Sequence, residues 1–325
     1  MKRVSGPFCI VTCIIICSLV ILGMAGSAGA QQRFELKWGT ITAGGAWQII
    51  GAAMLEDVKK AYPNITGSTF PSTTAANAIG VQTGKFNIAF CLTDTVAEAW
   101  EGKGEFEKYG KMQDLRALVA LYPHSTHIVV REDSGIRKIE DLRGKRISPD
   151  GKGLSCDLQT QRLLAIYGMS YKDVRVSFLS FSDAAQNFID GHLDALTFMT
   201  VPHPFSPVIQ VANQAKIRLL SLEEKAVREL TKFRGVERFT LPAGLYKGVD
   251  YPVQGIAVRS FVIVHKDLPE EIAYKVTRSI CENLSRYYDV LACMKNVKQE
   301  DLARDVGIPY HQGALKYFGE KGLKR

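Results

Sequence analysis

Four loops in this chain carry small or hydroxyl residues where a helix is expected to begin: Gly44-Gly45-Ala46, Thr73-Thr74 with Asn77, Thr93-Asp94, and Gly153-Leu154-Ser155. A helix N-terminus presents unpaired N–H groups and partial positive charge, which suits a carboxylate or a phosphate. Ordinary N-capping favours the same residue types, so one such loop alone carries little weight. Four of them, each near the end of an expected strand, outline a cleft of the kind in which open α/β sheets hold ligands.

Enzyme signatures are sparse by comparison. The chain has no Gly-x-Ser-x-Gly, no His-Glu-x-x-His, no Walker loop and no Cys-x-x-Cys. His124 and His127 are three apart, and on a strand that spacing points them to opposite faces. No metal or cofactor is therefore expected. Cys156 stands at a helix start, where a thiolate can be activated, but the sequence identifies no base for it. Trp47 lies on the apolar stripe of its helix, so core packing competes with ligand stacking. Gly151-Lys152-Gly153 resembles a phosphate loop only loosely, and Lys152 is expected in solvent.

These residues must be positioned by alternating strands and helices, the pattern of an α/β fold. Phe34, Leu36 and Trp38 alternate with Glu35 and Lys37, and a helix with Trp47, Ile50, Met54, Val58 and Ala61 on one face follows. Expected strands are Phe86–Leu92, Lys145–Ser148, Val174–Leu179, Ala195–Met199 and Ile217–Leu222, with helices at Ser155–Tyr167 and Asp183–Asp190. Asp267, Pro269 and Glu270 read as the N-cap, N1 and capping-box residues of a late helix. The apolar stretches 115–130 and 255–264 do not open into helices. Two such strands are what a chain crossing twice between two lobes requires.

The chain has 325 residues, 46% hydrophobic and 23% charged, which excludes a disordered or polytopic membrane protein. Lys2 and Arg3 precede a run without charge up to Arg33, and Ala28-Gly29-Ala30 supplies a cleavage pattern. Residues 1–30 therefore read as a secretory signal, with a retained signal-anchor as the other possibility. Without them the balance is 39 basic against 33 acidic side chains, a formal +6 in place of +8. The basic residues are scattered, so nucleic acid is not an expected partner. Of the four later cysteines, Cys281 and Cys293 lie 12 apart in a helix-like segment. An unbroken helix would hold them about 18 Å apart, too far to bond. A break near Tyr287-Tyr288-Asp289 would reopen that pairing.

Several stretches together resemble the TAXI-type solute-binding proteins of tripartite ATP-independent periplasmic (TRAP) transporters. They are Trp38-Gly39-Thr40 with Gly44-Gly45 and Gly51, then Asn77 followed by Thr83-Gly84-Lys85. Arg131 to Ile136 with Asp141-Leu142-Arg143-Gly144-Lys145 is the sharpest block. Gln161 to Leu164, Gly191 to Ala195, Pro202 and His311 to Tyr317 complete it, in order along the mature chain. The resemblance implies a bilobal, type II-like periplasmic-binding-protein fold, two three-layer α/β lobes joined by two crossover strands. Lobe one would be 31–128 plus 256–325, and lobe two 129–255.

It also implies a non-enzymatic, monomeric periplasmic receptor that closes on a small solute, an organic anion or amino acid, like a Venus flytrap. The receptor would hand that solute to integral-membrane TRAP permease subunits. Its site would be Gly45, Trp47, Gln48, Thr73, Thr74, Asn77, Thr93 and Asp94 on lobe one. Ser155, Cys156, Phe198 and Met199 would face them from lobe two. Asp94 would cap its helix or receive an amino group. The ligand loops depart from the family pattern: Trp47-Gln48 stand for two tyrosines, and Gly153-Leu154-Ser155-Cys156 for Gly-Ser-Gly-Thr. The rivals are an exported bilobal enzyme using Cys156 and an orphan ligand-sensor subunit.

Overall fold

The computed structural model describes residues 33–41 and 45–323. The segment read as an export signal, and Gly44, lie outside them. The strands are β1 (Phe34–Gly39), β2 (Ile65–Phe70), β3 (Ile88–Leu92), β4 (Leu115–Arg131), β5 (Arg146–Ser148), β6 (Arg175–Val176), β7 (Ala195–Pro202), β8 (Ile217–Leu219), β9 (Val236–Leu241) and β10 (Val253–His265). They form one mixed sheet in the order β2-β1-β3-β10-β4-β7-β5-β6, with β8 on β4 and β9 on β10. The helices used below are α1 (Ala46–Ala61), α2 (Thr74–Gln82), α3 (Thr93–Glu101), α4 (Ser155–Ile166), α5 (Phe181–Ile189), α6 (Ser206–Gln214), α7 (Glu224–Leu230), α8 (Glu270–Glu282), α9 (Leu284–Val290) and α10 (Gln312–Glu320). None of the described helices is long and apolar enough to cross a membrane.

The two long apolar runs are β4 and β10, which pair antiparallel from Ala257↔Ser125 to His265↔Leu115. On one side of them lie β3, β1 and β2; on the other, β7, β5 and β6. The sheet thus has two α/β halves joined through its centre by two shared strands, the bilobal arrangement expected.

Local differences have local causes. β3 begins at Ile88 rather than Phe86: the Phe86 N–H donates to the Gly80 carbonyl of the preceding helix at 3.0 Å, and the Asn87 side chain adds bonds to β1 beside its own backbone bond to the Lys37 carbonyl. Its Nδ2 donates to the Glu35 carbonyl at 2.7 Å and its Oδ1 accepts from Lys37 N at 2.8 Å. β6 shrinks to two residues at the sheet edge, and β7 runs three residues beyond Met199. α8 starts at Glu270 with Pro269, not Asp267, at its N-cap. Asp267 is in a turn instead, its N–H donating to His265 Nδ1 at 3.3 Å. The helix-like segment around the last two cysteines breaks into α8, α9 and a 3-10 turn at Ala292–Asn296, and Cys281 and Cys293 are buried free thiols.

The centre of the joining strands is polar although its surroundings are apolar. His127 faces Tyr246 Oη at 2.7 Å and the Ser125 carbonyl at 3.0 Å. His203 meets Ser125 Oγ at 3.0 Å, and His124 stacks on Tyr122 at 5.2 Å. Burial pushes the pKa values of His124 and His127 from 6.5 down to about 3. Burial, and then the Arg259 charge, push that of His203 down to about 4. In the folded chain these imidazoles stay neutral, whereas unfolding frees them to protonate below their ordinary 6.5. The unfolded state then binds more protons, so stability is present above that value and is lost as pH falls towards 3 to 4. Denaturant unfolding should show a falling midpoint between about pH 7 and about pH 5, with a shallower slope in His127→Gln. A midpoint independent of pH across that window would contradict this account.

Candidate functional site

Beyond the strand ends a cavity of about 240 Å³ opens between the two halves of the sheet. Thr73, Thr74 and Ala75 at the start of α2, Asp94, Thr95 and Glu98 on α3, and Glu105 form one wall. The other wall is the loop Lys152-Gly153-Leu154 with Ser155, Leu158 and Arg162 of α4. Three helix N-termini therefore converge on one space. Thr73 caps α2 by accepting from Ala76 N at 3.3 Å, whereas α3 and α4 start without a side-chain cap.

The loop before α4 is held by Asp157, which is fully buried. Its carboxylate accepts from Gly153 N at 2.7 Å, from Gln161 Nε2 at 3.0 Å and from the Tyr171 hydroxyl. Gly153 has φ +79, a backbone angle at which a side chain would be strained. These two features aim Lys152 and Leu154 at the cavity. The walls carry both signs of charge. Glu98 and Arg162 pair across the space, and Phe233 lies under the Arg162 guanidinium at 4.4 Å. Burial, and then the Glu98 carboxylate, raise the pKa of the Glu105 carboxyl.

The residues singled out from the sequence fall into two groups. Thr73, Thr74, Asp94 and Ser155 line the cavity. Asp94 is buried: its Oδ1 accepts from Thr95 N at 2.7 Å, and its Oδ2 accepts from Ser155 Oγ at 3.2 Å and Gln159 Nε2 at 3.0 Å. Thr93 sits beside it, occupied by donating to the Gly235 carbonyl and accepting from Arg259 N at 2.9 Å.

The second group serves the framework around the cavity. Gly45 is the N-cap of α1 and Gln48 lies half-buried in its first turn. Trp47 is buried, stacked on Phe90 at 5.7 Å, and donates from Nε1 to Ser260 Oγ at 2.8 Å. Asn77 is fully buried and ties the segment after β1 to strand β3 by donating to the Thr40 carbonyl at 2.8 Å and the Phe90 carbonyl at 2.9 Å. A Cβ at Gly39 would meet its Oδ1 at 2.4 Å, so the site admits only glycine there. Phe198 packs edge-on against Phe181 at 4.9 Å and Phe205 at 5.9 Å, and Met199 is fully buried. Because β7 continues past them, Thr200 reaches the start of α4, donating to Ser155 Oγ at 3.0 Å. Cys156 is buried against Thr200, and burial pushes its thiol pKa up to about 12. No cluster of three or more His, Cys, Asp or Glu suited to a metal occurs among the described residues.

Glu98, Gln159, Arg162 and Thr200 were not read from the sequence as site residues. Helical spacing could have signalled the first three, since Asp94, Glu98 and Glu101 share one face of α3, and Ser155, Gln159 and Arg162 share one face of α4. Nothing in the sequence indicates that the two faces meet.

The model of the NMT1-like family matches residues 38–322. The chain belongs to the NMT1-like family. Its fold is shared with solved structures at low identity. A TctC solute-binding protein from Polaromonas aligns over 91% of this chain and 98% of its own, at 18% identity and a TM-score of 0.51. A chloride-bound protein from Xanthomonas citri aligns over 88% and 95%, at 11% identity and a TM-score of 0.50. Within this bilobal α/β fold of the NMT1-like chain, the cavity occupies the cleft between the halves.

Two outcomes follow from these placements. Removing the Asn77 amide breaks its two buried hydrogen bonds to the Thr40 and Phe90 carbonyls, so Asn77→Ala should lose about 1–3 kcal/mol in denaturant unfolding. The Cys156 thiol should resist a disulfide reagent at neutral pH until the chain is unfolded. Rapid labelling of Cys156 in the folded protein would show the thiol to be accessible and ionisable after all.

Proposed function

We propose that this NMT1-like protein is an extracytoplasmic solute receptor of the TAXI type. It captures a small solute in the interlobe cleft and delivers it to the membrane permease of a TRAP transporter. Lobe one is taken as 31–128 plus 256–325 and lobe two as 129–255. The observation that carries the reading is a cavity walled by both halves, because a ligand touching both lobes favours closure over opening. The sequence resemblance supports the TAXI assignment, and the shared fold includes a protein described as a solute-binding protein.

Lys152 and the first turn of α4, which lacks a side-chain cap, suit an anionic group on the solute, such as a carboxylate. Glu105 on the opposite wall offers a partner to an amino group of the same molecule. In this reading Thr73, Thr74, Asp94 and Ser155 contact the solute or its nearest waters, while Gly45, Trp47, Gln48, Asn77, Thr93, Cys156, Phe198 and Met199 shape the walls. The buried state of Cys156, with its pKa raised, favours the receptor over an exported enzyme.

A thermal-shift screen of the mature protein against carboxylates, amino acids and 2-oxoacids tests the reading. At about 100 times its dissociation constant, a true ligand adds roughly 2.7 kcal/mol. Lys152→Met should weaken that ligand about tenfold or more, consistent with a charge-assisted bond. A screen in which no small solute raises the melting temperature, while a protein or lipid partner does, would remove the receptor assignment.

A further inference from the structure

The two cavity walls also bond directly to each other, through a pair of matched helix faces. On α3, Asp94, Glu98 and Glu101 follow at intervals of four and three residues, so their carboxylates form one acidic stripe. On α4, Ser155, Gln159 and Arg162 repeat the same intervals and form a stripe of donors. The stripes meet rung by rung. Asp94 accepts from Ser155 at 3.2 Å and Gln159 at 3.0 Å, and Glu98 pairs with Arg162. Glu101 lies 3.6 Å from Arg234, a further lobe-two residue, whose guanidinium also donates to the Gly307 carbonyl of lobe one.

An exposed ion pair would add little. Here the Arg162 and Glu98 side chains are only 21% and 23% exposed, and Phe233 covers the guanidinium. The Asp94 rung is buried. Charge-assisted bonds of this kind are directional and lose strength when either partner is moved away.

We propose that the α3–α4 contact is an interlobe zipper that holds the cleft closed by protein-to-protein bonds. Glu98 and Arg162 are its positioning pair. A solute then stabilises a closure that the chain already favours, and delivery requires the zipper to open. The proposal rests on the interlobe reading of the cleft, and it needs no particular ligand.

Small-angle X-ray scattering of the purified, ligand-free mature protein tests it. The wild-type profile should fit the closed structure. Glu98→Arg should give a larger radius of gyration, and Glu98→Arg combined with Arg162→Glu should restore the compact profile. Circular dichroism checks that each variant folds; if Glu98→Arg does not, Glu98→Gln takes its place and should also expand. A wild-type profile of a separated clam, or a reversal that leaves the radius unchanged, overturns the zipper. A ligand found by thermal shift in either case would leave the receptor reading intact, so the two failures are distinguishable.

Discussion

The antiparallel pairing of β4 with β10 holds every other part of the molecule in relation. β4 is 17 residues long and β10 is 13, and both are buried along nearly their whole lengths. β10 pairs with β3 on one flank, while β4 pairs with β7 on the other. Two strands therefore carry the hydrogen bonding of both halves, and a register slip between them would disrupt both at once. Their middle is polar for a structural reason. Side chains such as Thr126, whose hydroxyl accepts from Ile256 N at 3.2 Å and donates to the Ile256 carbonyl at 3.1 Å, bind one strand to the other where apolar packing alone would allow sliding.

That shared centre also decides where the cavity lies. α2, α3 and α4 begin beyond the ends of strands from different halves, and the joined sheet brings their first turns to face one another. The arrangement combines three helix N-termini, one lysine, one arginine and several carboxylates in a small volume. Asp94 contributes twice, turning the start of its own helix through Oδ1 and reaching the opposite wall through Oδ2. A single carboxylate thereby couples local helix geometry to the spacing of the two walls.

Much of the fold was legible because apolar periodicity follows burial. Alternation marked β1, helical spacing marked α1, and the two long apolar stretches stood out as shared strands. Short elements with weak patterns were not legible. β9, α6 and α7 depend on packing against neighbours remote in sequence, and β3 starts late because the Phe86 N–H turns to the Gly80 carbonyl. The loops of the cavity were visible through their small and hydroxyl residues. Residues within those loops divided according to which way each side chain turned. Asn77 and Trp47 face inward to backbone and core partners, whereas Thr73, Thr74, Asp94 and Ser155 face the space.

What the sequence determined by itself was the alternation of strands with helices, the two crossing strands and the chemical character of the loops. Those properties depend on nearest neighbours along the chain and on repeats of two or about 3.6 residues. Only the tertiary structure decided that the acidic face of α3 meets the donor face of α4, and that Thr200 rather than Met199 reaches the α4 N-terminus. Gln159 contacts Asp94 across 65 positions of sequence. No local pattern encodes such a meeting, because it depends on how the whole sheet twists and where each strand ends.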